Sequence, residues 1–141
     1  MLDFSHIRRD YKHARENYSL EVPENFNCAF DVIDAKTAIS PDETAIVAVS
    51  GDGNTVRHIS YQHLSQSSNQ FANAIATLGL TAGDFAAVVI PRIPQWYTVM
   101  FACMKLGVIS MPGTSLLTGK DIAYRVQKSQ AKAVIVGEEH C

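Results

Sequence analysis

Two short runs in this sequence stand where binding chemistry could be done, and each directly follows an apolar stretch. Arg92 lies in the turn Pro91-Arg92-Ile93-Pro94, immediately after Phe85 to Ile90 (FAAVVI). Gly113-Thr114-Ser115 follows the apolar run Val108 to Met111 and Pro112. A guanidinium in a proline-stiffened turn can grip a phosphate or carboxylate bidentately. It can equally pin the carbonyls of a neighbouring loop, and the residue types do not choose between these. Gly113-Thr114-Ser115 offers backbone N–H groups and two hydroxyls at a strand end, which suits a ligand loop and an ordinary connection alike. Other signatures are missing: there is no G-x-G-x-x-G, no P-loop and no nucleophile elbow. Gly51-Asp52-Gly53 has no Lys-Ser/Thr after it and opens no helix, so it reads as a hairpin loop. His58 and His63 have no cysteine or acidic partner at ligand spacing and read as structural or surface residues. The carboxylates are scattered. No catalytic residue and no metal ligand is therefore assigned.

The elements that must place those runs are legible from periodicity. Phe85 to Ile90 is unbroken and β-branched, which suits a strand buried on both faces, and Pro91 stops it. Pro94 favours the first turn of a helix. Trp96, Val99, Met100 and Cys103 then recur at helical spacing, and Gly107 closes the helix. Val108 to Met111 is a second strand. Thr118 with Asp121 predicts a capping box, Ile122 and Val126 give the next helix a buried edge, and Ala133 to Val136 is a third strand. The order β-α-β-α-β predicts three parallel strands, with ligands at their C-terminal ends. Upstream, Phe26, Phe30, Ile33 and Thr37 predict a helix capped by Asn27. Thr44–Val49 and Thr55–Ser60 predict a hairpin in which Gly51, Gly53 and Asn54 take positive φ. Ser60 caps a helix that buries Leu64, Ser68, Phe71, Ile75 and Leu78 and turns Ser65–Gln70 mostly to water. Glu21-Val22 before Pro23 should be extended. The fold class is α/β, with residues 1–20 as a polar arm (Ser5 a candidate cap) and 21–141 as one packed unit.

Composition narrows the function. A 47% apolar and 18% charged chain can pack a core. A net charge of −2 without a long basic run argues against nucleic acid and anionic membranes. No apolar run approaches the ~18 residues of a membrane span. Cys28, Cys103 and Cys141 are odd in number and lack metal spacing. With Asp3, Asp10 and Glu16 arguing against a transit peptide, they point to a reduced, cytoplasmic setting.

The order Ile59-Ser60-Tyr61-x-x-Leu64, Phe71-Ala72 and Gly79-Leu80-x-x-Gly83-Asp84 resembles the opening of the adenylate-forming enzymes. Met104-Lys105-Leu106-Gly107-Val108-Ile109-x-Met111-Pro112-Gly113 is similar to that family's second shared stretch. Val22-Pro23-Glu24-x-Phe26-Asn27, Pro91-Arg92-x-Pro94-x-Trp96 and the run from Pro112 to Arg125 resemble the medium-chain acyl-CoA synthetases in particular. The likeness extends over about residues 20–137. It implies an enzyme that uses ATP and Mg²⁺ to turn a fatty carboxylate into an acyl-adenylate, which the CoA thiol then converts to acyl-CoA. It also implies that the phosphate loop, ribose-binding aspartate, catalytic lysine and CoA-phosphate arginines lie downstream of Cys141. The chain then corresponds to the N-terminal part of a synthetase several times longer and is inactive alone. By that likeness Gly113, Thr114 and Ser115 correspond to a loop that contacts the CoA nucleotide, and Arg92 and Trp96 move toward structural roles. The competing expectations are a free-standing nucleotide- or CoA-binding module and a non-catalytic interaction module. The partial sheet is expected to self-associate through uncovered apolar faces.

Overall fold

The computed structural model describes residues 5–20 and 23–138. Two expectations, extended Glu21-Val22 and capping by Ser5, lie outside what is described. The polar arm is helical as α1 (Ser5–Asn17), and from Tyr11 onward its side chains are exposed.

The centre of the molecule is β3 (Phe85–Val89), whose Ala86, Ala87, Val88 and Val89 are all buried. It pairs in parallel with β4 (Ile109–Pro112) on one side and β5 (Ala133–Val136) on the other, giving the order β4-β3-β5. A strand hydrogen-bonded on both edges and covered on both faces has no polar side to show, which is why the run reads as continuously apolar. Helices α3 (Tyr61–Thr77) and α4 (Pro94–Leu106) pack together, and Ile75, Val99 and Cys103 meet Ala86, Val88 and Ile90 in one core. Helix α5 (Gly119–Ser129) approaches β3 and starts with the expected capping box, in which Thr118 Oγ1 accepts from the Asp121 N–H and Asp121 accepts from the Thr118 N–H. Its Ile122 and Val126 are only half-buried. The hairpin is β1 (Thr44–Val49) with β2 (Val56–Ser60), antiparallel. Within its loop only Gly53 takes positive φ, at +74°.

Three helix ends share one geometry. After α3, Gly79 is left-handed, and the N–H groups of Leu80 and Gly79 reach back to the carbonyls of Ile75 and Ala76. After α4, Gly107 is left-handed, and Val108 and Gly107 reach Cys103 and Met104. Both are Schellman closures, in which the residue after the glycine turns back onto the core. Leu80 and Val108 are accordingly buried, at 6% and 5% exposure. This explains one departure from the periodic reading: Leu78, expected inside, is 79% exposed because the helix has already closed and Leu80 takes its place. After α5 a non-glycine, Gln130, adopts the left-handed conformation at φ 55°.

Two further expectations are corrected. Phe26 and Phe30 are exposed, whereas Ala29 and Ile33 are buried. The segment Ala29–Asp34 is a π-helix leading into α2 (Ala35–Ile39), and its wider turn rotates the stripe away from a period of 3.6. Asn27 still caps it, with Oδ1 accepting from the Ala29 N–H and Nδ2 donating to the Met104 carbonyl at 2.8 Å. Ser65 is buried rather than turned to water, whereas Ser68 is buried as its place on the apolar stripe predicts. Ser68 donates to the Ser65 carbonyl at 2.8 Å, and Ser65 Oγ donates to Asp34 Oδ1 at 2.6 Å. Asp34 in turn receives Lys105 Nζ at 2.8 Å, so one polar cluster ties the π-helix, α3 and α4 together.

Candidate functional site

The C-terminal ends of the parallel strands are held in a row. The Gly113 N–H donates to the Val88 carbonyl at 2.8 Å, and the Gly137 N–H donates to the Val89 carbonyl at 3.2 Å, each extending the ladder just past its strand. Above this row the hairpin leans across, and between them lies a cleft of about 900 Å³. Pro91, Arg92, Ile93, Pro94, Gly113, Thr114 and Ser115 all line it, so the structure brings the two sequence-nominated runs to one place. Histidines 58 and 63 do not meet: His58 Nδ1 lies 3.4 Å from Thr44 Oγ1, and His63 Nε2 lies 3.4 Å from Ser67 Oγ.

Each part of the wall has a local cause. Proline at the start of α4 sets its first turn, and Ile93 before it is extended (φ −119°, ψ 158°) with no side-chain cap. At Gly113 a Cβ would stand 2.5 Å from Leu117 Cδ1, so glycine lets Leu117 fold beneath the loop. Thr114 is occupied in shaping that loop. Its hydroxyl accepts from the Leu116 N–H at 3.3 Å, and its carbonyl accepts from the Leu117 N–H at 3.2 Å. Ser115 is exposed. Trp96 and Tyr97 meet edge to face at 5.2 Å and give the cleft an aromatic side.

The facing wall supplies a residue that sequence reasoning passed over. Arg57, on β2 opposite Ala48, lines the same cleft as Arg92. Nothing local marks it, since it becomes relevant only when the hairpin folds over the sheet. Both arginines are exposed. Arg92 makes no bond to a loop carbonyl among the described residues, so the pinning role it could have had is not realised. Among the described residues no aspartate or glutamate lines the cleft. Two guanidiniums without a carboxylate suit an anion and do not suit a metal ion. Among the described residues no group of three His, Cys, Asp or Glu could hold a metal. The Cys103 thiol is buried, and desolvation raises its pKa, which keeps it unreactive. The arrangement can bind and orient, but it offers no nucleophile paired with a base.

The loops are fixed by depressed carboxylates. Lys132 beside Asp84, at 2.7 Å, and then the Thr81 N–H lower the Asp84 pKa. Ser50 and then the backbone and side chain of Asn54 hold Asp52 at about 2. The Thr118 hydroxyl lowers Asp121. A carboxylate depressed by folding adds stability above its ordinary value, which is lost as pH falls through the folded value. The melting temperature is therefore expected to hold from pH 7 to about pH 4 and to fall between about pH 4 and pH 2. Asp84→Asn should lose stability at pH 7 and flatten that decline. An unchanged acid limb in this variant would remove Asp84 from the account.

Comparison with known proteins adds the following. The family model for AMP-binding enzymes matches residues 33–141. The acyl-coenzyme A synthetase ACSM4, mitochondrial, of Rattus norvegicus is 43% identical over 124 residues, covering 84% of this chain and 21% of that protein. ACSM2A, mitochondrial, of Homo sapiens is 39% identical over 140 residues, covering 92% and 24%. Among solved structures, the anthranilate CoA ligase AuaEII in complex with anthranoyl-AMP superposes with a TM-score of 0.72 at 25% identity, over 84% of this chain and 22% of that one. The chain spans less than a quarter of the length of these relatives. The curated relatives are named as mitochondrial, which overturns the cytoplasmic expectation. That expectation rested on unpaired cysteines, which mark a reducing compartment without saying which one, and on Asp3, Asp10 and Glu16, whose acidity weighs against a transit peptide only as a matter of composition.

Proposed function

Because the chain belongs to the family of AMP-binding enzymes, as the match over residues 33–141 shows, we propose that it is the N-terminal part of a mitochondrial, ATP-dependent acyl-CoA synthetase of the medium-chain type. The observation that carries this is the identity of 43% to a mitochondrial acyl-coenzyme A synthetase over 84% of the chain. In the proposed reaction a fatty carboxylate attacks the α-phosphate of ATP, pyrophosphate leaves, and the CoA thiol then displaces AMP from the acyl carbon. Bound Mg²⁺ would supply charge neutralisation at the phosphates. The described residues offer no carboxylate cluster for it, so its ligands belong to other parts of the protein.

This chain's own part is positional. Strand β3, clamped by β4 and β5, fixes the row of strand ends, α4 starts there at Pro94, and Gly107 closes α4 at the opposite end of the sheet, beside Ala82 and Gly83. Gly113, Thr114 and Ser115 are proposed to meet the CoA nucleotide, Ser115 through its exposed backbone N–H and hydroxyl, Gly113 by the close approach that its missing side chain allows, and Thr114 by holding the loop's shape. The cleft's charge fits phosphate-bearing substrates. Exposed apolar side chains, such as Val134 on edge strand β5 and Ile109 on edge strand β4, fit a sheet that continues in the longer protein and makes the isolated chain self-associate.

The test is a pyrophosphate-release assay on the longer protein, with ATP, Mg²⁺, CoA and straight-chain carboxylates of increasing length. Acid-dependent release and acyl-CoA formation are expected, with none from the 141-residue chain alone. Failure of every carboxylate in the series would overturn the reading. Sedimentation of the isolated chain as a sharp monomer would remove the self-association.

A further inference from the structure

The two arginines of the cleft have no assigned work. Among the described residues four ion pairs form, and they use Lys12, Lys36, Lys105 and Lys132. Neither Arg57 nor Arg92 takes part, and neither donates a side-chain hydrogen bond or lies over an aromatic ring. Unpaired surface arginines are ordinary when scattered. Here they come from two elements that are far apart in sequence, a hairpin strand and the turn between β3 and α4. They line one concavity of about 900 Å³ in which no carboxylate stands among the described lining residues. A site built for a cation, or for a neutral apolar ligand alone, would not leave two guanidiniums unpaired in its walls. A guanidinium presents a planar fork of donors that matches phosphate oxygens, and it stays charged at every relevant pH.

We propose that Arg57 and Arg92 form a two-sided clamp for the diphosphate group of a small phosphorylated ligand. The clamp is held between the hairpin and the strand-end row. Arg92 is placed by the two prolines that flank its turn. Arg57 is placed by the β1–β2 ladder, where it pairs with Ala48. Two positive charges on opposite walls favour a polyanion over a monocarboxylate, because each fork can then engage its own phosphate group. Trp96, in the same wall, offers an aromatic surface beside the clamp. The inference stands on this chain's own cleft and does not depend on the synthetase reading.

Trp96 is the single tryptophan of the chain, so its fluorescence reports on the cleft. Inorganic pyrophosphate is titrated into the 141-residue chain at low salt, with hexanoate as the monocarboxylate comparison and ATP as a nucleotide-borne source of the same group. A saturable change with pyrophosphate is expected, weakening as salt is raised. Arg57→Gln and Arg92→Gln should each raise the dissociation constant about tenfold, and the double variant should abolish the response. Arg92→Lys, which keeps the charge but loses the fork, should fall between wild type and Arg92→Gln. Both side chains are exposed, so circular dichroism spectra should superpose across the set. No response in the wild type up to millimolar pyrophosphate overturns the clamp, as does equal affinity in the double variant. Equal affinity for hexanoate would reassign the cleft to carboxylates. None of these outcomes touches the pyrophosphate-release assay on the longer protein, so the two readings can fail separately.

Discussion

Lys105→Met is expected to destabilise the chain by about 3 kcal/mol, while leaving its apolar packing nearly intact. The Lys105 side chain is only 4% exposed, and its ammonium is fully engaged. It donates to Asp34 Oδ1 and to Asn69 Oδ1, each at 2.8 Å, and lies 5.7 Å from the centre of the Phe30 ring. Methionine fills the same volume but leaves Asp34 with only the Ser65 hydroxyl. The penalty is the stranded charge rather than a cavity. Asp34 is 28% exposed, so water recovers part of it, and the cost falls at the lower end of the range for broken buried pairs. Two comparisons isolate this cause. Asp34→Asn in the Lys105→Met background should restore about 1–2 kcal/mol, because the uncompensated charge is gone. Lys128→Met on the exposed face of α5 should shift stability by no more than about 0.5 kcal/mol. The readout is the urea midpoint at constant slope. Equal shifts for Lys105→Met and Lys128→Met would show that the cluster does not hold α3, α4 and the π-helix together.

This cluster also marks where sequence reading stops. The parallel sheet was legible because β3 is buried on both faces and therefore writes an uninterrupted apolar run. The proline start and glycine end of α4, and the Thr118–Asp121 box, were legible because each is a local backbone requirement met by a particular residue. Ser68 follows the apolar stripe of α3, but Ser65 lies off that stripe, and its polarity alone reads as solvent-facing. Its burial depends on Asp34 and Lys105, which are distant in sequence. The Phe26–Phe30 stripe failed because a π-helix changes the period that the reading assumes. The candidate site followed the same rule. Arg92 and Gly113 to Ser115 were visible because strand ends in α/β sheets bind ligands. Arg57 was not, because it belongs to a separate hairpin and only the tertiary fold carries it to the same cleft.

Gly107→Val tests the other long-range dependence, and its expected cost is about 3 kcal/mol or more. Two independent effects add. Gly107 has φ +75°, where a side chain is strained, and a β-branched one more so. A Cβ there would also stand 2.9 Å from the Ala82 Cβ and 3.4 Å from its Cα, so the collision is with a short, backbone-anchored residue that cannot swing away. The contact cannot simply open, because the Gly107 carbonyl accepts the Gly83 N–H at 2.9 Å, and the Ile109 N–H donates to the Asp84 carbonyl at 2.8 Å. Relieving the strain therefore moves the start of β4 away from β3, and with it the strand end that carries Gly113. Gly107→Ala separates the terms, since it keeps the clash and loses the β-branch; about 2 kcal/mol is expected from it. Gly119, at the first position of α5, has open space around it and no positive φ, so Gly119→Ala should be neutral or slightly stabilising. The measurement is again the denaturation midpoint, accompanied by amide exchange at Ile109 and Gly113. Faster exchange at both positions in Gly107→Val is the expected signature of a displaced β4. A large loss of stability with unchanged exchange there would confine the damage to the helix end and break the link between Gly107 and the cleft.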